Sequence, residues 1–239
     1  MITNEQEYRA GVRDGIPIAL GYFAVSFTFG MMAVTGGLKI FQAVLTSVTN
    51  VTSAGQFAAL TIIFGDGSYL EVILTTLIIN LRYSLMSFAV SQKIDDKGHS
   101  IHRYLVAFGM TDEIFGISIN HRDRINPFYN YGAMSVAIPG WCLGTLLGAV
   151  LGNVLPAMVI SALSVAIYGM FMAIIIPPAE KNKALYVVIL VSMLLSAAFT
   201  YLPLLKQLTG GFVIIIITVG VAAVAAVIQP VPDPEQEDS

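Results

Sequence analysis

GFVIIIITVGVAAVAAVI, residues 211–228, carries no charge and no proline, and its apolar run is interrupted only by Thr218 and two glycines. A helix rises about 1.5 Å per residue and the hydrocarbon core of a bilayer is about 30 Å thick, so this run reads as a membrane span. Seven further stretches come close to the same description: 16–36, 42–64, 70–91, 104–120, 131–151, 157–176 and 184–201. Two are compromised. Residues 42–64 contain Thr46, Thr49, Asn50, Thr52, Ser53, Gly55 and Gln56, and 104–120 is short and holds Asp112 and Glu113. Both are expected to be interrupted or re-entrant. The predicted fold is an all-α polytopic membrane protein with six to eight transmembrane or re-entrant helices, at least one of them discontinuous.

Composition agrees. Of 239 residues 56% are hydrophobic and 11% charged, with a mean hydropathy of +0.78, whereas a soluble domain needs about 25% charged residues to cover its surface. A net charge of −3 lacks the basic excess that nucleic acid binding requires, so no nucleic acid partner is expected. Cys142 is the only cysteine; it can form no internal disulfide and has no thiolate companions for a metal. The acidic and basic residues of the first turns, Glu5 to Asp14, do not resemble a cleavable signal peptide. The chain divides into a cytoplasmic N-terminal segment (1–15), one membrane domain (16–228) and a disordered acidic tail (229–239), in which prolines and acids leave no apolar face.

Lys and Arg favour cytoplasmic loops. If all eight stretches cross, the inner loops hold 6 of them (Arg9, Arg13, Arg122, Arg124, Lys181, Lys183) and the outer loops 5. If the two polar stretches enter and leave on one side, the inner count gains Lys93, Lys97 and Arg103 and becomes 9 against Lys39 and Lys206 outside. The re-entrant version obeys the rule, and both versions place the two termini in the cytoplasm.

Candidate site residues come from polar groups that lipid cannot satisfy. On an unbroken helix Thr46, Thr49, Asn50, Ser53 and Gln56 would form one stripe, facing other helices or a wet path, and Gly55 is where the helix is expected to break and expose backbone. Thr76, Asn80, Ser84, Ser87 and Ser91 form a second stripe. Arg82 is off that stripe, about 200° from Asn80. Mid-helix it costs ~2.5–3.5 kcal/mol on insertion scales and so needs a partner; Asp112 or Glu113 suits better than Glu71, which lies about 16 Å away along the helix. A carboxyl in low dielectric holds its proton more tightly, which fits Asp112 or Glu113 for proton coupling or for an ammonium. Gly140, Gly144, Gly148 and Gly152 recur every four residues and mark a close helix contact with this chain or another subunit. His99, His102 and His121 fall in polar loops and read as ordinary surface groups. No enzyme motif is complete: position 51 is Val51 where a G-x-S-x-G elbow around Ser53 needs glycine, position 63 is Ile63 before GDG, and there is no H-E-x-x-H. No catalytic residue, metal or cofactor is expected.

Four segments in order, GIPIALGYFAVSFTFG (15–30), SAGQFAA (53–59), INLRYSLMS (79–87) and TDE (111–113), resemble the AzlC-type large subunits of branched-chain amino acid exporters. The resemblance implies efflux of valine, leucine, isoleucine and often methionine across a bacterial inner membrane, proton coupling, and a small AzlD-type membrane partner. It coincides with the physical reading at Gln56, Asn80, Arg82, Asp112 and Glu113. Tyr83 stands where the family often has histidine, which puts a histidine relay at that position in doubt. The expected site therefore comprises Asn50, Ser53, Gly55, Gln56, Asn80 and Arg82 for substrate, with Asp112 and Glu113 for protons or the ammonium. A channel or a non-transporting membrane scaffold is the alternative.

Overall fold

The computed structural model describes residues 3–95, 100–121, 124–152, 182–202 and 210–228, with isolated positions between them. The described residues form nine helices: α1 (Asn4–Thr35), α2 (Ile40–Thr49), α3 (Ser53–Phe64), α4 (Tyr69–Lys93), α5 (Ile101–Phe108), α6 (Asp112–Ile119), α7 (Pro127–Leu151), α8 (Lys183–Tyr201) and α9 (Gly210–Ile228). Five of them, α1, α4, α7, α8 and α9, are long and apolar enough to cross a membrane. The predicted stretch 157–176, isolated positions apart, and the acidic tail lie outside the described residues. Two compact units emerge, one of residues 1–60 and 79–168, the other of 61–78 and 169–239.

In the first unit α1 and α7 form the frame. Thr3 and Gln6 close a capping box that starts α1 ahead of its apolar run, and Asn126 caps α7 with Pro127 in its first turn. The glycine face of α7 lies against α1 of the same chain: a Cβ on Gly144 would strike Phe23 O, and one on Gly148 would strike Phe27 O. Gly11, Gly15 and Gly30 answer from α1, where a Cβ on Gly15 would sit 2.9 Å from Ala133 Cα. Without a hydrophobic difference between lipid and protein, such backbone proximity supplies the attraction. Contacts pair residue 8 with 132, 19 with 140, 27 with 148 and 31 with 152, so the two helices run parallel.

Both compromised stretches are broken. The first breaks at residues 50–52, between α2 and α3, and not at Gly55, which sits in the first turn of α3. The polar stripe expected on a continuous helix is thereby split. Ser47 on α2 accepts from Gln56 on α3, and nearer the hairpin's open end Ala43 and Leu60 share one core with Phe29 and Ala33 of α1, where Phe57 meets Phe29 edge-on at 5.6 Å. The chain therefore descends through α2 and returns through α3. The second stretch does the converse. His102, at the start of α5, bonds Tyr131 in the first turns of α7 (2.7 Å), and His121, just after α6, bonds Glu7 near the start of α1 (2.9 Å). Between them the Thr111 and Glu113 side chains bond Tyr22, 15 residues and about 22 Å further along α1. Two hairpins thus enter from opposite ends of the frame. At its foot, Ile94 bridges to Ile125 (Asp95 N to Ile125 O 2.9 Å, Ile125 N to Lys93 O 2.8 Å), which sets the end of α4 beside the start of α7 and makes α4 antiparallel to it.

In the second unit α8 and α9 contact each other, and Glu71 accepts the Gly211 amide at 3.0 Å. Glu71 thus has a partner within its own unit. Thr61 and Ile62 carbonyls close the end of α3 by accepting from Gly65 (3.1 Å) and Gly67 (2.9 Å), with Asp66 between them in the left-handed region at φ 55°.

Candidate functional site

The breaks at residues 50–52 and 109–111 bring the tips of the two hairpins together. Beside them is a cavity of about 680 Å³, within the ~300–1,000 Å³ range of small-molecule sites. Its walls include the first break (Thr49, Asn50, Val51, Thr52), one face of α4 (Asn80, Ser84, Ser87, Ser91) and apolar side chains of α5 and its end (Ala107, Phe108, Met110). Spacings of three and four put the α4 hydroxyls on this one face because the helix is unbroken there. Arg103 is the charged side chain on the wall among the described residues.

Arg82 and Asp112 do not line this cavity. They form an ion pair at 2.8 Å, with side chains 40% and 20% exposed, so each already has its partner. The guanidinium also donates to Tyr83 Oη at 3.1 Å and lies 4.8 Å from that ring's centre. Tyr83 and Val51 border the cavity on one side and, on the other, a cleft too narrow for water that is lined by Tyr22, Ser53, Thr111, Glu113 and Trp141.

In that cleft Tyr22 Oη stands 2.5 Å from Glu113 Oε2 and 2.6 Å from Thr111 Oγ1. A phenol has one proton. If it goes to the carboxylate, Thr111 must donate to Tyr22, giving the directed chain Thr111 to Tyr22 to Glu113. Trp141 Nε1 is buried without an acceptor, and its ring meets Tyr22 edge-on at 5.4 Å. Glu113 is held here by a phenol and not by Arg82.

Gln56 serves elsewhere. Thr145 donates to Trp141 O (3.1 Å), Ser47 therefore donates to Thr145 (2.7 Å), and Ser47 accepts from Gln56 Nε2 (3.0 Å). This buried chain joins α3, α2 and α7 and keeps Gln56 off the cavity wall. The amides of Gly55 and Gln56 are also taken, both donating to Thr52 O at 2.6 and 3.3 Å; one turn of α3 has used them. Of the predicted site residues, Asn50 and Asn80 line the cavity, Ser53 and Glu113 the cleft, Gly55 lies beneath Thr52 and Asn80, and Gln56, Arg82 and Asp112 line neither.

Thr52, Tyr22 and Trp141 were missed as site residues. Thr52 falls off the stripe that an unbroken helix would form, and Tyr22 meets Glu113 across 91 positions, which no local pattern reveals. The histidines also need correction. His121 pairs with buried Glu7 and stacks on Tyr129 at 3.7 Å between ring centres, and His102 is half-buried against Tyr131; only His99 lies outside the described residues.

Residues 17–155, more than half of the chain and all of the hairpins, match the family described as AzlC protein. An uncharacterized membrane protein of Archaeoglobus fulgidus is 33% identical over 178 residues, which is 74% of this chain and 78% of the relative. The inner membrane protein YgaZ of Escherichia coli (strain K12) is 26% identical over 188 residues, 75% and 76% of the two chains. An uncharacterized membrane protein of Helicobacter pylori is 24% identical over 154 residues, 62% and 67%. No solved structure matches.

Proposed function

This chain belongs to the AzlC family of membrane proteins, and from that premise we propose that it is the large subunit of a two-component secondary transporter that exports branched-chain amino acids. The observation that carries the reading is the pair of hairpins entering from opposite ends and meeting at broken tips beside a cavity of about 680 Å³. Breaks at mid-depth, lining a cavity, are how transporters present backbone polar groups to a solute in the membrane. Valine, leucine, isoleucine and methionine all fit the apolar part of the wall, since one methylene is worth only about 1–3 kcal/mol of discrimination.

Proton coupling belongs to Glu113. Arg82 neutralises Asp112, while Glu113 reaches a hydroxyl chain and shares the cleft behind Tyr83. A carboxyl in such a place exchanges one proton for each opening of the cleft to either side. The AzlD-type small subunit completes the exporter, and the inner membrane, named for the Escherichia coli relative, is its location.

Counterflow of labelled valine in liposomes, with and without the small subunit, tests this. Saturable flux that a proton gradient accelerates is expected with the subunit present. Flux that does not saturate would make the chain a channel, and no flux in the assembled complex would make it a scaffold.

A further inference from the structure

The break at residues 50–52 sets the end of one helix against the start of another. The last turn of α2 leaves carbonyls without helical partners, and the first turn of α3 leaves amides without them; the dipoles make the first end negative and the second positive. Thr52 occupies the position before α3, yet its hydroxyl caps nothing. Thr52 is 6% exposed, its Oγ1 has no hydrogen-bond partner, and it lines the cavity. Asn80 Oδ1, on the facing helix, is likewise buried without a partner. A Cβ on Gly55 would collide with Thr52 Oγ1 and stand 3.4 Å from Asn80 Oδ1, so both oxygens converge over one glycine. Two such orphans carry an uncompensated desolvation cost unless a ligand supplies their partners.

We propose that this break is the recognition site for the zwitterionic head of an amino acid. The carboxylate lies at the start of α3, taking the Thr52 hydroxyl proton and the Ser53 and Ala54 amides. The ammonium lies towards Asn80 Oδ1 and the carbonyls that end α2. The inference rests on the transport reading above and relocates its site from the Arg82–Asp112 pair, which is closed on itself, to neutral groups and helix ends. No charged side chain is consumed in binding, so Glu113 stays available for the proton.

Equilibrium binding of labelled valine to the purified complex in nanodiscs tests the site, with valinamide (no carboxylate) and 3-methylbutanoate (no ammonium) as competitors. Wild type should prefer valine at least tenfold over both. Thr52→Val should lose at least tenfold in valine affinity while keeping its thermal midpoint, because the hydroxyl removed has no partner in the empty protein; Thr52→Ser should bind within about threefold of wild type. Gly55→Ala, which fills the space, should bind no valine. The proposal is overturned if Thr52→Val binds like wild type, if it unfolds (the hydroxyl then has a structural partner), or if Arg103→Gln alone abolishes the preference for valine over valinamide. A wild-type complex that binds none of valine, leucine, isoleucine or methionine would instead sink the transport reading itself.

Discussion

Arg82 illustrates how far a single residue can be read. An arginine in the middle of an apolar helix must be compensated, and Asp112 does so at 2.8 Å. Arg82→Ala should leave that carboxylate unpaired, lowering the amount of folded protein and abolishing valine export. Arg82→Lys should rescue poorly, because an ammonium cannot reproduce a planar fork that also covers the Tyr83 ring. The double variant Arg82→Ala/Asp112→Ala should recover folding, with a coupling on the order of 1 kcal/mol in a thermal-unfolding cycle. Strict additivity would mean that the pair carries no energy. Tyr22→Phe is the companion test: it deletes the phenol between Thr111 and Glu113, so proton-driven valine uptake into inverted vesicles should fall at least tenfold while counterflow persists. Equal loss of both would remove Glu113 from the coupling. What the sequence could indicate here was the need for a partner; which of two adjacent acids answers depends on where α6 starts, and Thr111 as its cap decides that.

Elements were legible where spacing reports on a continuous helix. The α4 stripe and the α7 glycine repeat are of this kind. The α2–α3 break was expected one turn too late, because Gly55 invites a break by its backbone freedom whereas the chain breaks at residues 50–52. Gly55 is needed for the room it leaves. The α1 side of the glycine seam is spread over residues 11, 15 and 30 among larger neighbours and does not stand out as a repeat. Gly148→Leu should drive a side chain into Phe27 O, where main chain cannot yield; overpacking of this kind costs about 1–3 kcal/mol or more. A lowered thermal midpoint and aggregation on size-exclusion chromatography are expected. Gly21→Ala is the control on the same helix pair. Its Cβ would meet nothing within 4 Å, so stability should hold or rise by up to about 1 kcal/mol. Equal damage from both would deny the seam.

For the molecule as a whole, fold class followed from composition and run length, but topology hung on two stretches whose apolar content alone was ambiguous. The contacts at the foot of the frame settle how they run: Ile94 beside Ile125 brings the α4 end to the α7 start, as two hairpins require and eight crossings forbid. Single cysteines introduced after removal of Cys142 should show it. Asp95→Cys and Asn120→Cys should label only from the cytoplasmic side and Lys39→Cys only from outside; label reaching Asp95→Cys from outside would restore eight crossings. The opposed hairpins carry one more consequence. GYFAVSF (21–27) and RYSLMSF (82–88) share Tyr, Ser and Phe at matching places, each on the helix that precedes a hairpin, and Thr52 and Thr111 each stand at a tip just before the returning helix. The two halves thus share one order of parts, a membrane-length helix and then a hairpin with a threonine at its tip, and their hairpins enter the frame from opposite ends. If the transport proposed above runs by alternating access, two such halves offer a second state reached by exchanging the parts they play, each hairpin in turn closing the end at which it enters.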